Sequence, residues 1–294
     1  MKPQQIGNFR VDRVLESEGP YFALDFLLPG APPDLIAANA DWLKPHFVDP
    51  ADDRLILAFQ SFVLRTGRHT ILVDTCTGND KERPQRPNWH RQRHPFLDRM
   101  RAIGVQPEAV DFVFCTHLHA DHVGWNTRLE NGRWVPTFPN ARYVFARREY
   151  EHWENEHRAI AAKGGEPLAH GSFADSVLPV VEAKRAVFVD SDHEIEDGVH
   201  LEPAYGHTPG NCVLNARNGG ARAVFIGDVM HTAAQLANPA LSSCFCDDPA
   251  ESARTRTALV ERHADSGTVI FACHFPTPVA GRIRRRGPGF ALAV

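Results

Sequence analysis

Short apolar runs recur along this chain, and several of them end abruptly in an aspartate or a histidine. Residues 9–15 alternate apolar and polar and predict a first strand. A breaker cluster, Pro29-Gly30-Ala31-Pro32-Pro33, leads into residues 34–43, a short helix capped by Asp34. Its apolar Leu35, Ile36 and Trp42 pack on the core, cover a pocket or form a dimer contact. Residues 55–64 and 69–74 flank the turn Arg65-Thr66-Gly67-Arg68 and predict a hairpin. Residues 96–103 carry helical spacing, with Gly104 as the stop. Residues 110–115, β-branched and aromatic, predict a buried strand. Residues 125–136 form a polar excursion turning at Asn131-Gly132, and strand 141–146 precedes helix 147–158. Residues 177–181 and 186–189 read as strands, and Asp197-Gly198 turns the chain before 199–201. Strands at 221–226 and 268–273 follow, and a last one lies near 290–294 after a short solvated basic connection.

The polar residues that close these runs are chemically selective. Thr116-His117-Leu118-His119-Ala120-Asp121-His122 follows strand 110–115 directly. His117 and His119 sit two apart in extended chain and point to one side. Asp121 and His122 follow where the chain turns at Gly124. Imidazole nitrogen and carboxylate oxygen are borderline ligands that suit zinc. Strand 69–74 ends in Asp74, which either borders the same cavity or makes a local turn hydrogen bond. His207 lies in the turn-rich loop Tyr205-Gly206-His207-Thr208-Pro209-Gly210. Strand 221–226 ends in Gly227-Asp228, and strand 268–273 ends in His274. Four strand ends and one loop thus supply metal-capable groups, whereas His152 and His157 read as surface or core-edge residues. Tyr205, Trp125, Phe245 and Phe275 flank the ligands as candidates for an apolar wall.

Composition narrows the picture. The chain has 294 residues and 43% hydrophobic content, enough for a sizeable core in one domain covering 1–294. A net charge of -4 gives no basic field for nucleic acid. Residues 80–95 are locally basic and proline-punctuated. They read as solvated surface or as a flap that steers an anionic substrate, with Trp89 available for stacking. The N-terminal residues lack an apolar leader segment, and no run reaches the 18 or so residues of a membrane span. Six cysteines without CxxC pairs fit a reducing cytoplasm, and four of them lie in or beside apolar runs.

His117-x-His119-x-Asp121-His122, followed by His207, Asp228 and His274, resembles the metallo-beta-lactamase superfamily over about residues 9–276. The resemblance implies an α/β (α+β) fold, a four-layer αβ/βα sandwich of two mixed β-sheets flanked by helices. It implies one metal on His117, His119 and His207 and another on Asp121, His122 and His274, with Asp228 bridging. Asp74 matches an early aspartate that orients a ligand histidine. Zinc is the default metal, with manganese, iron and cobalt as options. The implied activity is hydrolysis of a small lactone, ester or organophosphate by a metal-bridging hydroxide, with Asp121 or Asp228 passing the proton on. Lactonases of this superfamily usually place a tyrosine three residues after the bridging aspartate. Here that slot holds His231, as a substrate-polarising residue or a structural hydrogen-bonder. Gly-Asp-x-x-His is closer to the methyl parathion hydrolase and lactonase-like branch. The alternatives are a glyoxalase II-like thioesterase or a phosphodiesterase, and a non-catalytic metal-binding protein. The expected partner is a small molecule, without nucleic acid or membrane. Dimers are common in the resembled family, so a homodimer is among the expectations.

Overall fold

A computed structural model describes residues 1–294. Contacts within the chain gather it into two compact units. One comprises Lys2–Ser17 and Phe59–Ser191; the other comprises Met1, Glu18–Ala58 and Asp192–Val294.

Two seven-stranded mixed sheets carry the architecture. The first runs in the order Gln4–Ile6, Phe9–Phe22, Leu55–Arg65, Thr70–Val73, Phe112–Phe114, Arg142–Ala146, Ala186–Val189. Phe112–Phe114 is parallel to both of its neighbours, Thr70–Val73 and Arg142–Ala146. A central parallel strand is covered on both faces, which explains its unbroken apolar run. Residues 115–122 therefore leave from the carboxyl end of a central strand. The second sheet runs Glu194–Glu196, Val199–Pro203, Cys212–Asn218, Ala221–Phe225, Val269–Phe271, Ala280–Arg286, Gly289–Ala293. Ala221–Phe225 and Val269–Phe271 are its parallel pair, with Phe225 opposite Phe271. Asp228 and His274 thus leave neighbouring strands at the same end.

Each unit buries its own core. The first gathers Val63, Leu72, Val113, Phe138, Tyr143 and Phe145 with Phe96 and Met100 of helix Phe96–Ala102. The second gathers Leu43, Phe47, Leu57, Val213, Ile226, Leu259 and Ile270, the helix Pro249–His263 contributing Leu259 and Val260. No helix is long and apolar enough to cross a membrane.

The structure corrects several expectations. Residues 34–43 form two short helices, Leu35–Ala38 and Ala40–Leu43, because Asn39 leaves helical geometry at φ -126. Its side chain donates to the Leu35 carbonyl and accepts from Trp42 Nε1. Asp34 makes no side-chain cap bond. Residues 177–181 are helical rather than a strand, within Phe173–Val177 and Leu178–Glu182. Buried Phe173, Val177 and Val180 have helical spacing that a short β-branched run concealed. The basic connection after residue 280 is the strand Ala280–Arg286, with Ile283 buried between outward arginines. Residues 127–136 form a hairpin whose turn places Asn131 and Gly132 at φ 49 and 78. The basic segment 80–95 is only partly solvated. Lys81 and Arg83 are fully buried, Arg83 making a bidentate pair with Asp175 at 2.7 and 2.8 Å. Lys81 Nζ meets Thr127 Oγ1 at 2.7 Å and lies over the Trp134 ring. Trp89 packs edge-on against Phe59.

Candidate metal centre

In the first unit the ligand stretch hangs from Asp74. Its amide donates to the Phe114 carbonyl at 2.8 Å, and its backbone takes the left-handed φ of 56 that lets it turn back under the loop. Asp74 Oδ1 accepts the Thr116 amide at 2.8 Å, and the Thr116 hydroxyl lies within 3.1 Å of both carboxylate oxygens. Asp74 Oδ2 is 3.1 Å from His122 Nδ1. A carboxylate accepts, so His122 Nδ1 carries the proton and its Nε2 presents a lone pair. Thr116 spends its hydroxyl proton on Asp74, so its oxygen accepts from His117 Nδ1 at 3.1 Å. His117 Nε2 is then also bare, 3.0 Å from His119 Nδ1. One aspartate therefore sets the tautomer of two histidines, directly for His122 and through Thr116 for His117. His117 and His122 are buried, and Asp121, 13% exposed, reaches within 3.8 Å of His122 Nε2.

The loop holding these groups is pinned at both ends. Thr75 donates to the His122 carbonyl and Trp125 to the Thr75 carbonyl, both at 2.8 Å. Gly124 is obligatory, since a Cβ there would meet the Thr77 carbonyl at 2.0 Å. Between the first two histidines, the Leu118 amide donates to buried Glu149 at 3.0 Å. The same carboxylate oxygen accepts from Trp153 Nε1 at 2.6 Å, and the Trp153 ring stands edge-on to His119.

In the second unit three histidines converge on one carboxylate. Asp228 Oδ2 lies 3.2 Å from the Nε2 atoms of His207 and His231, and Oδ1 lies 3.0 Å from His274 Nε2. All four side chains are at most 3% exposed. His274 Nδ1 faces the Ala58 carbonyl at 2.9 Å, and a carbonyl only accepts, so Nδ1 bears the proton. His274 thus turns a lone pair towards a carboxylate, which is repulsive unless a proton or cation lies between them. The same demand for positive charge acts on His207. Burial disfavours its charge, yet the Asp228 carboxylate and the Cys246 side chain together raise its pKa to about 9. Burial prevails at His231 against Asp228, with His207 and His274 adding to it, and its pKa falls to about 4. His231 is therefore neutral at pH 7. A buried carboxylate faced by the His274 lone pair, and drawing positive charge onto His207, fits a divalent cation.

The predicted residues Asp74, His117, His119, Asp121 and His122 assemble in the first unit, and His207, Asp228, His231 and His274 in the second. His152 and His157 stay apart, packing on Trp153 and Phe173. Trp125 is an anchor rather than a wall, stacked on Phe96 and donating to Glu16 at 2.7 Å. Phe275 belongs to the core against Phe47. Phe245 does border the site, 6.1 Å from the His231 ring, and continues into Phe22 and the half-exposed Phe26. Thr116, Glu149 and Cys246 escaped notice in the sequence. Thr116 adjoins the motif and offered a signal, but the other two reach their histidine-bearing loops from separate elements.

A family model described as metallo-beta-lactamase superfamily matches residues 60–285. An N-acyl homoserine lactonase from a Bacillus species is 29% identical over 112 residues, 38% of this chain. That match spans 35% of the lactonase, so the chain covers well under two thirds of this curated relative. A hydrolase of the beta-lactamase superfamily, AbOPH, superposes with a TM-score of 0.79 at 23% identity, covering 99% of this chain and 95% of that one. AidC, a dizinc quorum-quenching lactonase with a bound product, superposes with a TM-score of 0.76 at 19% identity, covering 99% and 96%. The fold is the one the sequence led us to expect: two mixed sheets with flanking helices.

Proposed function

The chain belongs to the metallo-beta-lactamase superfamily, and on that premise we propose that it is a dinuclear metal-dependent hydrolase of small lactones or related esters and organophosphates. One observation carries the reading. Asp228 offers both carboxylate oxygens to histidines, one of which, His274, is fixed with its lone pair towards the carboxylate. Such an arrangement suits a carboxylate that bridges two cations. His117, His119 and His207 would hold one ion, and Asp121, His122 and His274 the other. When bound, the two ions would lower the pKa of a water held between these residues towards ~7 and would polarise the substrate oxygen.

The chain's own residues do the rest. Asp74 keeps Nε2 of His117 and His122 unprotonated, directly or through Thr116. Asp121, the more exposed of the two site aspartates, accepts the proton from the attacking water and passes it on. His231, neutral at pH 7, hydrogen-bonds the substrate oxygen through Nε2–H, in exchange for Asp228. Phe245, with Phe22 and Phe26 beside it, offers an apolar surface to the substrate's non-reacting part. The lactone preference is supported by the N-acyl homoserine lactonases among the relatives. The histidine at position 231 favours keeping aryl esters and phosphotriesters in view.

The test is a panel of lactones, aryl esters, thioesters and phosphotriesters on purified protein, with and without chelator. The reading expects hydrolysis of at least one of the first, second or fourth classes, lost on chelation and restored by zinc or manganese. Activity confined to thioesters, or indifferent to chelation, contradicts it.

A further inference from the structure

A metal-ligating histidine normally donates its second ring N–H to an oxygen, which fixes tautomer and ring angle. His122 meets Asp74, His117 meets Thr116 and His274 meets the Ala58 carbonyl. His207 meets sulfur instead, with Cys246 Sγ 3.6 Å from its Nδ1. We propose that Cys246, Ser252 and Arg256 form a directional hydrogen-bond chain that holds His207 in its Nδ1–H form, making Cys246 a positioning residue of the metal centre. The inference rests on the metal-binding reading of His207 given above.

Direction follows from the far end of the chain. Arg256 is fully buried, and a guanidinium can only donate. It donates to the carbonyls of Pro239 at 2.7 Å and Val229 at 3.2 Å, to Ser242 Oγ at 2.9 Å and to Ser252 Oγ at 3.2 Å. Ser252 Oγ accepts this bond, and its second lone pair takes the Cys246 thiol, which is oriented to donate to it at 3.3 Å. With its proton committed to Ser252, the sulfur turns its lone pairs to His207. The N–H is then kept on Nδ1, and Nε2, which faces Asp228, is the nitrogen whose proton a cation replaces.

The backbone leaves this arrangement little slack. The amides of Asp247 and Asp248 donate to the carbonyls of His207 and Gly206, both at 3.0 Å. Thr255 Oγ1 donates to the Tyr205 carbonyl at 2.7 Å. Gly206 sits at φ +118, where a Cβ would come within 2.1 Å of the Ser252 nitrogen. The His207 loop is therefore pressed against the first turn of helix Pro249–His263, which carries Ser252 and Arg256. Cys246 fills the joint between them.

The experiment uses the zinc-loaded full chain, with zinc affinity measured by competition against a chelator and the His207 Nδ1–H signal by nitrogen-15 NMR. Cys246→Ala and Cys246→Val are expected to weaken the tighter zinc about 10–100-fold and to lose the Nδ1–H signal to exchange. Cys246→Ser, whose hydroxyl accepts and donates the same two bonds, stays within about threefold of the parent. Ser252→Ala, which removes only the thiol's acceptor, weakens zinc severalfold and serves if Cys246→Ala does not fold. Parental affinity and an intact Nδ1–H signal in Cys246→Val would overturn the inference, since sulfur would then only fill space. A parent chain that binds no zinc overturns both the inference and the metal reading. Zinc binding by the parent with unchanged affinity in every variant overturns the inference alone.

Discussion

Asp74 and Asp228 are both buried aspartates close behind an apolar strand, and both touch a histidine, yet their surroundings differ in kind. Asp74 receives the Thr116 amide, the Thr116 hydroxyl and the His122 Nδ1 proton. Asp228 receives the Nε2 edges of three histidines, one of them turned towards it as an acceptor by the Ala58 carbonyl behind it. The nearest contact looks alike in each case, so proximity alone does not separate the roles. On the proposed reading, the far nitrogen of each ring separates the aspartate that would orient from the one that would ligate. Asp175 supplies a third contrast. It is answered by the fixed cation Arg83, at 2.7 Å, with the Lys81 amine beside it, and it needs no metal.

The largest effect is expected at Asp228. Asp228→Ala removes the carboxylate shared by three histidines and should lower hydrolysis by about 10³-fold or more, above the 10–100-fold usual for residues that only orient ligands. If Asp228→Ala and Asp74→Ala cost the same in kcat, the distinction between ligand and orienter fails. Asp74→Ala should weaken metal binding about 10–100-fold while a zinc excess restores most of the activity. Failure of saturating zinc to rescue it would place Asp74 among the ligands.

His231→Phe is expected to keep its metal content and lose about 100-fold in kcat, at the lower end of the range for a positioned proton donor. Unchanged turnover of the best substrate would reduce His231 to a packing role. The smallest effect belongs to the aspartate with fixed partners. Lys81→Met leaves Asp175 paired with Arg83 and should change neither metal content nor activity. Burial holds the Lys81 pKa near 7, against 10.5 ordinarily. The unfolded chain then keeps a proton that the native chain has shed, so native stability rises as pH climbs from about 7 to 10.5. Melting curves should show that rise weakened in Lys81→Met; an identical pH profile would mean that Lys81 stays charged in the fold.

Much of this was legible from the chain because most of the candidate ligands sit where strands end. Residues 117–122 are contiguous, so one apolar run and its polar close revealed them together. Asp228 and His274 were separable as strand ends, but their adjacency depends on the parallel register of Phe225 against Phe271, which no local pattern encodes. The supporting groups were the least visible. Glu149 lies on a helix and Cys246 in an irregular segment, and each finds its partner only through tertiary packing. The helix at 178–182 was missed because a short apolar run carries no period of its own, and the burial of Lys81 and Arg83 because charge runs usually face water.

The central claim is that Asp228 joins two metal sites into one. Metal content per chain, determined by elemental analysis of zinc-reconstituted protein and its Asp228→Ala variant, tests it most directly. The account predicts about two equivalents for the parent and about one or fewer for the variant. A parent with one equivalent or none, or a variant that retains the parent's full content, would contradict it.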